Sequence, residues 1–64
     1  MKVGDLVEIY FRDVPNETGV YLEVDYNSAW FVGEEENYSR VMVLWDDTIT
    51  SIPVSQIEVI NESR

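Results

Sequence analysis

The chain has neither cysteine nor histidine in its 64 residues. The first absence excludes a disulfide framework, and the two together exclude a Cys/His zinc site. They also remove the thiol and the imidazole as nucleophile or general base. Basic residues are scarce. Only Lys2, Arg12, Arg40 and Arg64 stand against thirteen acidic side chains, for a net charge of −9. Neutralising phosphates takes clustered Lys and Arg, and these four are scattered, so direct binding to DNA or RNA is not expected. Long apolar runs are missing as well. No stretch reaches the length of a signal peptide or a membrane span, and the expectation is a soluble cytoplasmic protein with no membrane contact. There is no glycine-rich phosphate loop and no recognisable pair of catalytic acids, so no enzymatic activity and no cofactor are expected.

A chain this short buries only about 60% of the surface its unfolded form exposes. With no cross-link or metal to supplement the core, the fold must stand on apolar packing, which self-association can supplement.

What is present is period-two patterning. Asp5–Phe11 alternates Val7, Ile9 and Phe11 with Leu6, Glu8 and Tyr10, the signature of a strand with Glu8 facing water. Arg12–Thr18 gathers Asp13, Pro15 and Asn16 and reads as a loop. Gly19–Asp25 alternates again and predicts Val20, Leu22 and Val24 on the inward face. In Arg40–Asp46 the set Val41, Val43 and Trp45 opposes Met42, Leu44 and Asp46. The charge on Asp46 turns the first set inward and makes Trp45 a core residue. Asp46–Thr48 suits a turn. Thr48–Ile52 is a fourth strand, ended by Pro53, and Ile57–Ile60 is a fifth. Between them Pro53–Gln56 has room for one 3₁₀ turn. The pattern predicts an all-β fold, a small five-stranded antiparallel barrel spanning residues 1–60 as one domain. Residues 27–39 form an inserted hairpin or loop, and 61–64 a frayed C-terminal tail.

Val3-Gly-Asp-Leu-Val7, Gly19-Val20 with Leu22-Glu-Val24, Val41 with Val43-Leu-Trp-Asp46, and Ile52-Pro53 with Ile57-Glu-Val-Ile60 resemble the small Src-homology-3-like (SH3-like) barrel proteins of tailed phages, especially cyanophages. The likeness covers nearly the whole chain except 27–39. It implies an SH3-like barrel, and a phage-encoded structural or accessory subunit in the host cytoplasm or the virion. Weaker similarity links Val43–Asp47 to Tudor-type barrels and Gly19-Val20 to KOW-type barrels. The latter contact RNA through basic residues that this chain lacks.

These resemblances suggest ligand sites. Signalling SH3 domains hold proline-rich peptides between aromatic side chains and loop acids, for which Tyr10, Asp13, Glu17 and Trp45 are the candidates here. The Ala-Leu-Tyr-Asp-Tyr opening of those domains is absent. A Tudor-type cage for a methylated cation would draw on Tyr21, Tyr26, Trp30 and Tyr38. The acidic runs Glu34–Glu36 and Asp46–Asp47 lack EF-hand spacing, and no metal is expected.

The surplus of apolar residues is more telling. With Val7, Ile9, Phe11, Val41, Val43 and Trp45 inward, Leu6, Tyr10, Met42 and Leu44 face outward, joined by Trp30 and Phe31 of the insert. A barrel this small cannot bury both sets. An exposed apolar surface built from Leu6, Tyr10, Trp30, Phe31, Met42 and Leu44 points to a protein partner, through self-association or another virion or host protein. The alternative from another class is an acidic decoy that presents carboxylates to nucleic-acid-binding proteins where phosphates would sit.

Overall fold

The computed structural model describes residues 1–61, with the side chain of residue 61 left aside. It is all-β. The strands are β1 (Leu6–Ile9), β2 (Glu17–Val24), β3 (Ala29–Val32), β4 (Glu35–Tyr38), β5 (Arg40–Trp45), β6 (Thr48–Pro53) and β7 (Ile57–Asn61), with 3₁₀ turns over Tyr26–Ser28 and Val54–Gln56. Five strands form one antiparallel sheet in the order β6-β5-β2-β1-β7, and β3 and β4 pair as a separate two-stranded ribbon. Of the tail expected at 61–64, Asn61 closes β7 opposite Leu6, and the rest lies outside the described residues.

The main sheet is open. Its edge strands β6 and β7 are joined through the Val54–Gln56 turn rather than by a ladder of hydrogen bonds. Two irregularities bend it. Ile60 is the extra residue where β7 meets β1, and Leu22 is the extra residue where β2 meets β5.

The irregularity at Leu22 corrects the expected inward face of β2. Tyr21 lies opposite the inward Val43 and is buried, Val20 lies opposite the outward Leu44, and only after Leu22 does Val24 regain the core side, opposite Val41. One inserted residue exchanges the two sides of a strand, because side chains alternate with period two.

The core consists of Val7, Ile9, Tyr21, Val41, Val43 and Ile52, with Phe11, Val24, Trp45, Ile57 and Val59 packed partly buried against it. Trp45 follows Val41 and Val43 to the inner side but ends at the rim. It is half-buried, not enclosed, because it is the last residue before the turn. That turn places Asp46 and Asp47 at φ of 51° and 58°. Paired left-handed residues in a two-residue loop match the twist of a hairpin, and Asp tolerates that region better than most side chains.

Candidate interaction surface

The strand register places four apolar residues side by side on the outer face of the main sheet. Leu6 of β1 is opposite Val20 of β2, Val20 is opposite Leu44 of β5, and Leu44 is opposite Ile49 of β6. Leu6, Leu44 and Ile49 are exposed, at 38%, 40% and 59%, and Val20 between them is half-buried. Directly opposed residues hold their Cβ atoms about 5 Å apart, and three strand spacings give the row a length of about 14 Å. The half-buried Met42 widens it by one position along β5.

Carboxylates flank the row. On one side Glu8 is directly opposite Glu58. The Tyr10 hydroxyl reaches both, 2.5 Å from Oε2 of Glu58 and 3.0 Å from Oε2 of Glu8, and Asn16 Nδ2 donates to the remaining Glu8 oxygen at 3.3 Å. One phenolic proton serves one carboxylate at a time. The bonds to Glu58 and then to Glu8 hold the Tyr10 phenol far above its ordinary range. On the other side of the row Glu23 is opposite Met42.

Basic charge hardly enters this sheet. Arg40 is the one Lys or Arg in its strands among the described residues, and it is engaged: Nε donates to Ser51 Oγ at 2.9 Å and Nη2 to the Ser51 carbonyl at 2.8 Å. Ser51 Oγ in turn donates to Asp25 Oδ2 at 2.6 Å, and the backbone N–H of Asn27 donates to Asp25 Oδ1 at 3.0 Å. The Ser51 bond, the Asn27 bond and the Arg40 charge together hold the Asp25 carboxyl below its usual range.

This cluster is also the root of the β3–β4 ribbon. Ser28 Oγ donates to the Asp25 carbonyl at 2.6 Å and accepts from Arg40 N–H at 3.1 Å. Beyond the root the ribbon packs chiefly on itself, turning at Gly33, whose φ of 62° suits the first position of a tight hairpin turn.

Of the six residues expected to form one apolar surface, Leu6, Met42 and Leu44 lie on the outer face of the sheet, and Tyr10 caps the Glu8–Glu58 pair beside them. Trp30 and Phe31 are exposed on opposite faces of the separate β3–β4 ribbon, paired with Asn37 and Glu36, and are not part of the main sheet. Val20 and Ile49 complete the row and were not singled out from the sequence. Val20 was hidden by the irregularity at Leu22. Ile49 was within reach, since an inward Ile52 turns Ile49 outward by alternation alone.

Of the four residues offered for a peptide groove, two meet, Glu17 and Trp45. Trp45 Nε1 donates to Glu17 Oε2 at 2.8 Å, and its ring lies against Phe11 on the core side, whereas Tyr10 sits with Glu8 and Glu58 on the outer side. Asp13 is exposed in the loop between β1 and β2. Two of the four cage candidates also meet. Tyr26 and Tyr38 meet edge to face at 5.6 Å between ring centres, Tyr21 is in the core, and Trp30 and Tyr38 occupy opposite faces of the ribbon. The Tyr38 hydroxyl bonds the Glu36 carboxylate, which pushes its phenol up to about 12.

Among the described residues no group of acidic side chains is arranged to hold a metal ion, no enclosed pocket occurs, and no helix is long and apolar enough to cross a membrane. Compared with models of known families, with curated proteins and with solved structures, the chain matches none.

Proposed function

We propose that this chain is a small SH3-like barrel that acts as a non-enzymatic protein–protein interaction module, of the kind tailed phages encode as structural or accessory subunits. The observation that carries the interaction role is the row Leu6–Val20–Leu44–Ile49, apolar residues in register across four adjacent strands, of which Leu6, Leu44 and Ile49 are exposed. Scattered exposed apolar side chains are ordinary on a soluble protein, whereas a contiguous row of them marks a contact surface. The SH3-like reading is supported by the strand order β6-β5-β2-β1-β7 and by the 3₁₀ turn before the last strand. The ribbon of residues 27–39 is an insertion between two of its strands.

The test is affinity capture from the source cells and from purified virions with the wild-type chain and with Leu44→Glu, which puts a charge in the middle of the row. Partners retained by the wild type and lost by a folded Leu44→Glu chain are the expected outcome. Equal recovery with both, or no specific partner with either, would overturn the interaction role. Presence of the chain in purified virions marks a structural subunit, and its confinement to the cell extract an accessory one.

A further inference from the structure

We infer that the outer face takes a basic amphipathic helix of a partner protein, laid across the strands along Leu6, Val20, Leu44 and Ile49. This rests on the interaction reading above and specifies its partner.

Two features of the face select that occupant. The first is charge. The row lies between Glu8 and Glu58 on one side and Glu23 on the other, and the Asp46–Asp47 turn joins the two strands that carry Leu44 and Ile49. Among the described residues one cation stands in the strands of the sheet, Arg40 at the Glu23 margin; it donates to Ser51, and its charge acts on the nearby Asp25 carboxylate. A second copy would bring the same carboxylates face to face with −9 on each chain, and nucleic acid or an anionic membrane would meet the same repulsion. A segment with Lys or Arg on both flanks of an apolar stripe places cations against both acidic margins.

The second feature is spacing. The row offers one apolar side chain per strand, about every 4.8 Å, and a helix crossing the strands offers one per turn, about every 5.4 Å. Over four strands the two repeats fall out of step by less than half a turn. A strand laid the same way would present same-face residues about every 6.6 Å and lose register sooner. Apolar residues at i, i+4, i+7 and i+11 of the partner would therefore meet the four residues of the row in turn.

The probe is a synthetic peptide of leucine and lysine with leucine at those helical positions. Its controls are a peptide of the same composition with the two alternating, and a helical version with glutamate in place of lysine. Titration of the full chain is followed by two-dimensional amide NMR. The expected result is binding of the helical lysine peptide with shifts centred on Leu6, Val20, Leu44 and Ile49, at least about tenfold tighter than the alternating peptide. The glutamate peptide should not bind. Leu44→Ser and Ile49→Ser, both at exposed positions, should each weaken binding about tenfold while amide spectra and melting remain those of a folded chain. Glu8→Gln and Glu23→Gln should weaken it at about 50 mM salt and matter little at about 500 mM.

Equal affinity for the helical and alternating lysine peptides, with the serine variants unaffected, would overturn the helix in favour of attraction by charge alone, as a decoy would act. Shifts centred on Trp30–Val32 would move the site to the ribbon and overturn it as well. If Leu44→Glu loses its captured partners while no peptide binds, the helix is refuted and the interaction surface stands. If both experiments fail, the interaction reading falls with it.

Discussion

Trp45 lies against Phe11 at the rim of the core, ring centres 5.1 Å apart and planes inclined by 38°, while its indole nitrogen reaches out to the Glu17 carboxylate. One side chain thus joins the end of β5 to the segment after β1 and to the start of β2. Its hydrogen bond is exposed and contributes little beside the ring contact. Trp45→Ala should destabilise the fold by about 2–3 kcal/mol, below the figure for a fully enclosed Trp. Trp45→Phe should recover most of that loss, because the ring contact survives without the bond to Glu17. Urea unfolding of the two variants checks this, and a Phe variant as unstable as the Ala variant would assign the stability to the hydrogen bond.

Gly19 is the tightest point in the sheet. A Cβ there would stand 2.5 Å from Cγ1 of Val43 and 3.1 Å from both Cδ1 of Ile9 and the Leu44 carbonyl oxygen. Two of those neighbours are wholly buried core side chains, and the third is backbone. Gly19→Ala should therefore cost about 1–3 kcal/mol by overpacking. Shortening Val43 in the same chain should remove part of the penalty. The sign of the coupling in a double-mutant cycle decides it: strict additivity would mean that Gly19 does not press on Val43.

Tyr21 and Val20 test the irregularity at Leu22. A strand that alternated without interruption would bury Val20 and Val24 on one face and expose Tyr21. The observed register buries Tyr21 opposite Val43 and turns Val20 outward. Tyr21→Ala should cost about 3 kcal/mol and Val20→Thr less than about 1 kcal/mol. The reverse order in thermal melting would restore uninterrupted alternation.

Asp25 carries a pH dependence of known sign. Its folded-state pKa is depressed, chiefly by the hydrogen bond from Ser51. Its contribution is therefore fully present above the ordinary Asp range near 4 and is lost as pH falls through the lower folded value. Wild type should be more stable than Asp25→Ala at neutral pH. The gap should hold down to about pH 4 and close on further acidification. Melting points of the two proteins measured down the acid limb provide the check, and a gap independent of pH would show that the carboxylate charge plays no part.

Much of this fold is legible in the residues. Val7 and Ile9 in β1, Val41 and Val43 in β5, and Ile52 in β6 stand in alternating or turn-bounded runs and form the core. Asp46-Asp47 and Pro53 stand where a turn and a strand end are found. The outward placement of Leu6 and Leu44, half of the candidate row, follows from the same alternation.

The sequence by itself determined the all-β class, the inward residues of β1 and β5, and the excess of acid over base, because each is a property of local pattern or composition. Three features belong to the tertiary structure. The change of face at Leu22 depends on how β2 meets β5, and Val20, Leu22 and Val24 alternate as well as any uninterrupted strand would. That Trp30 and Phe31 stand in a ribbon separate from the sheet of Leu6 and Leu44 depends on the pairing of β3 with β4 and on the root at Asp25, Ser28 and Arg40. The row from Leu6 to Ile49 joins residues 43 positions apart in the chain (49 − 6), and only pairing of four strands in one register sets them side by side. Alternation tells which residues share a face, and pairing across strands tells which of them are neighbours.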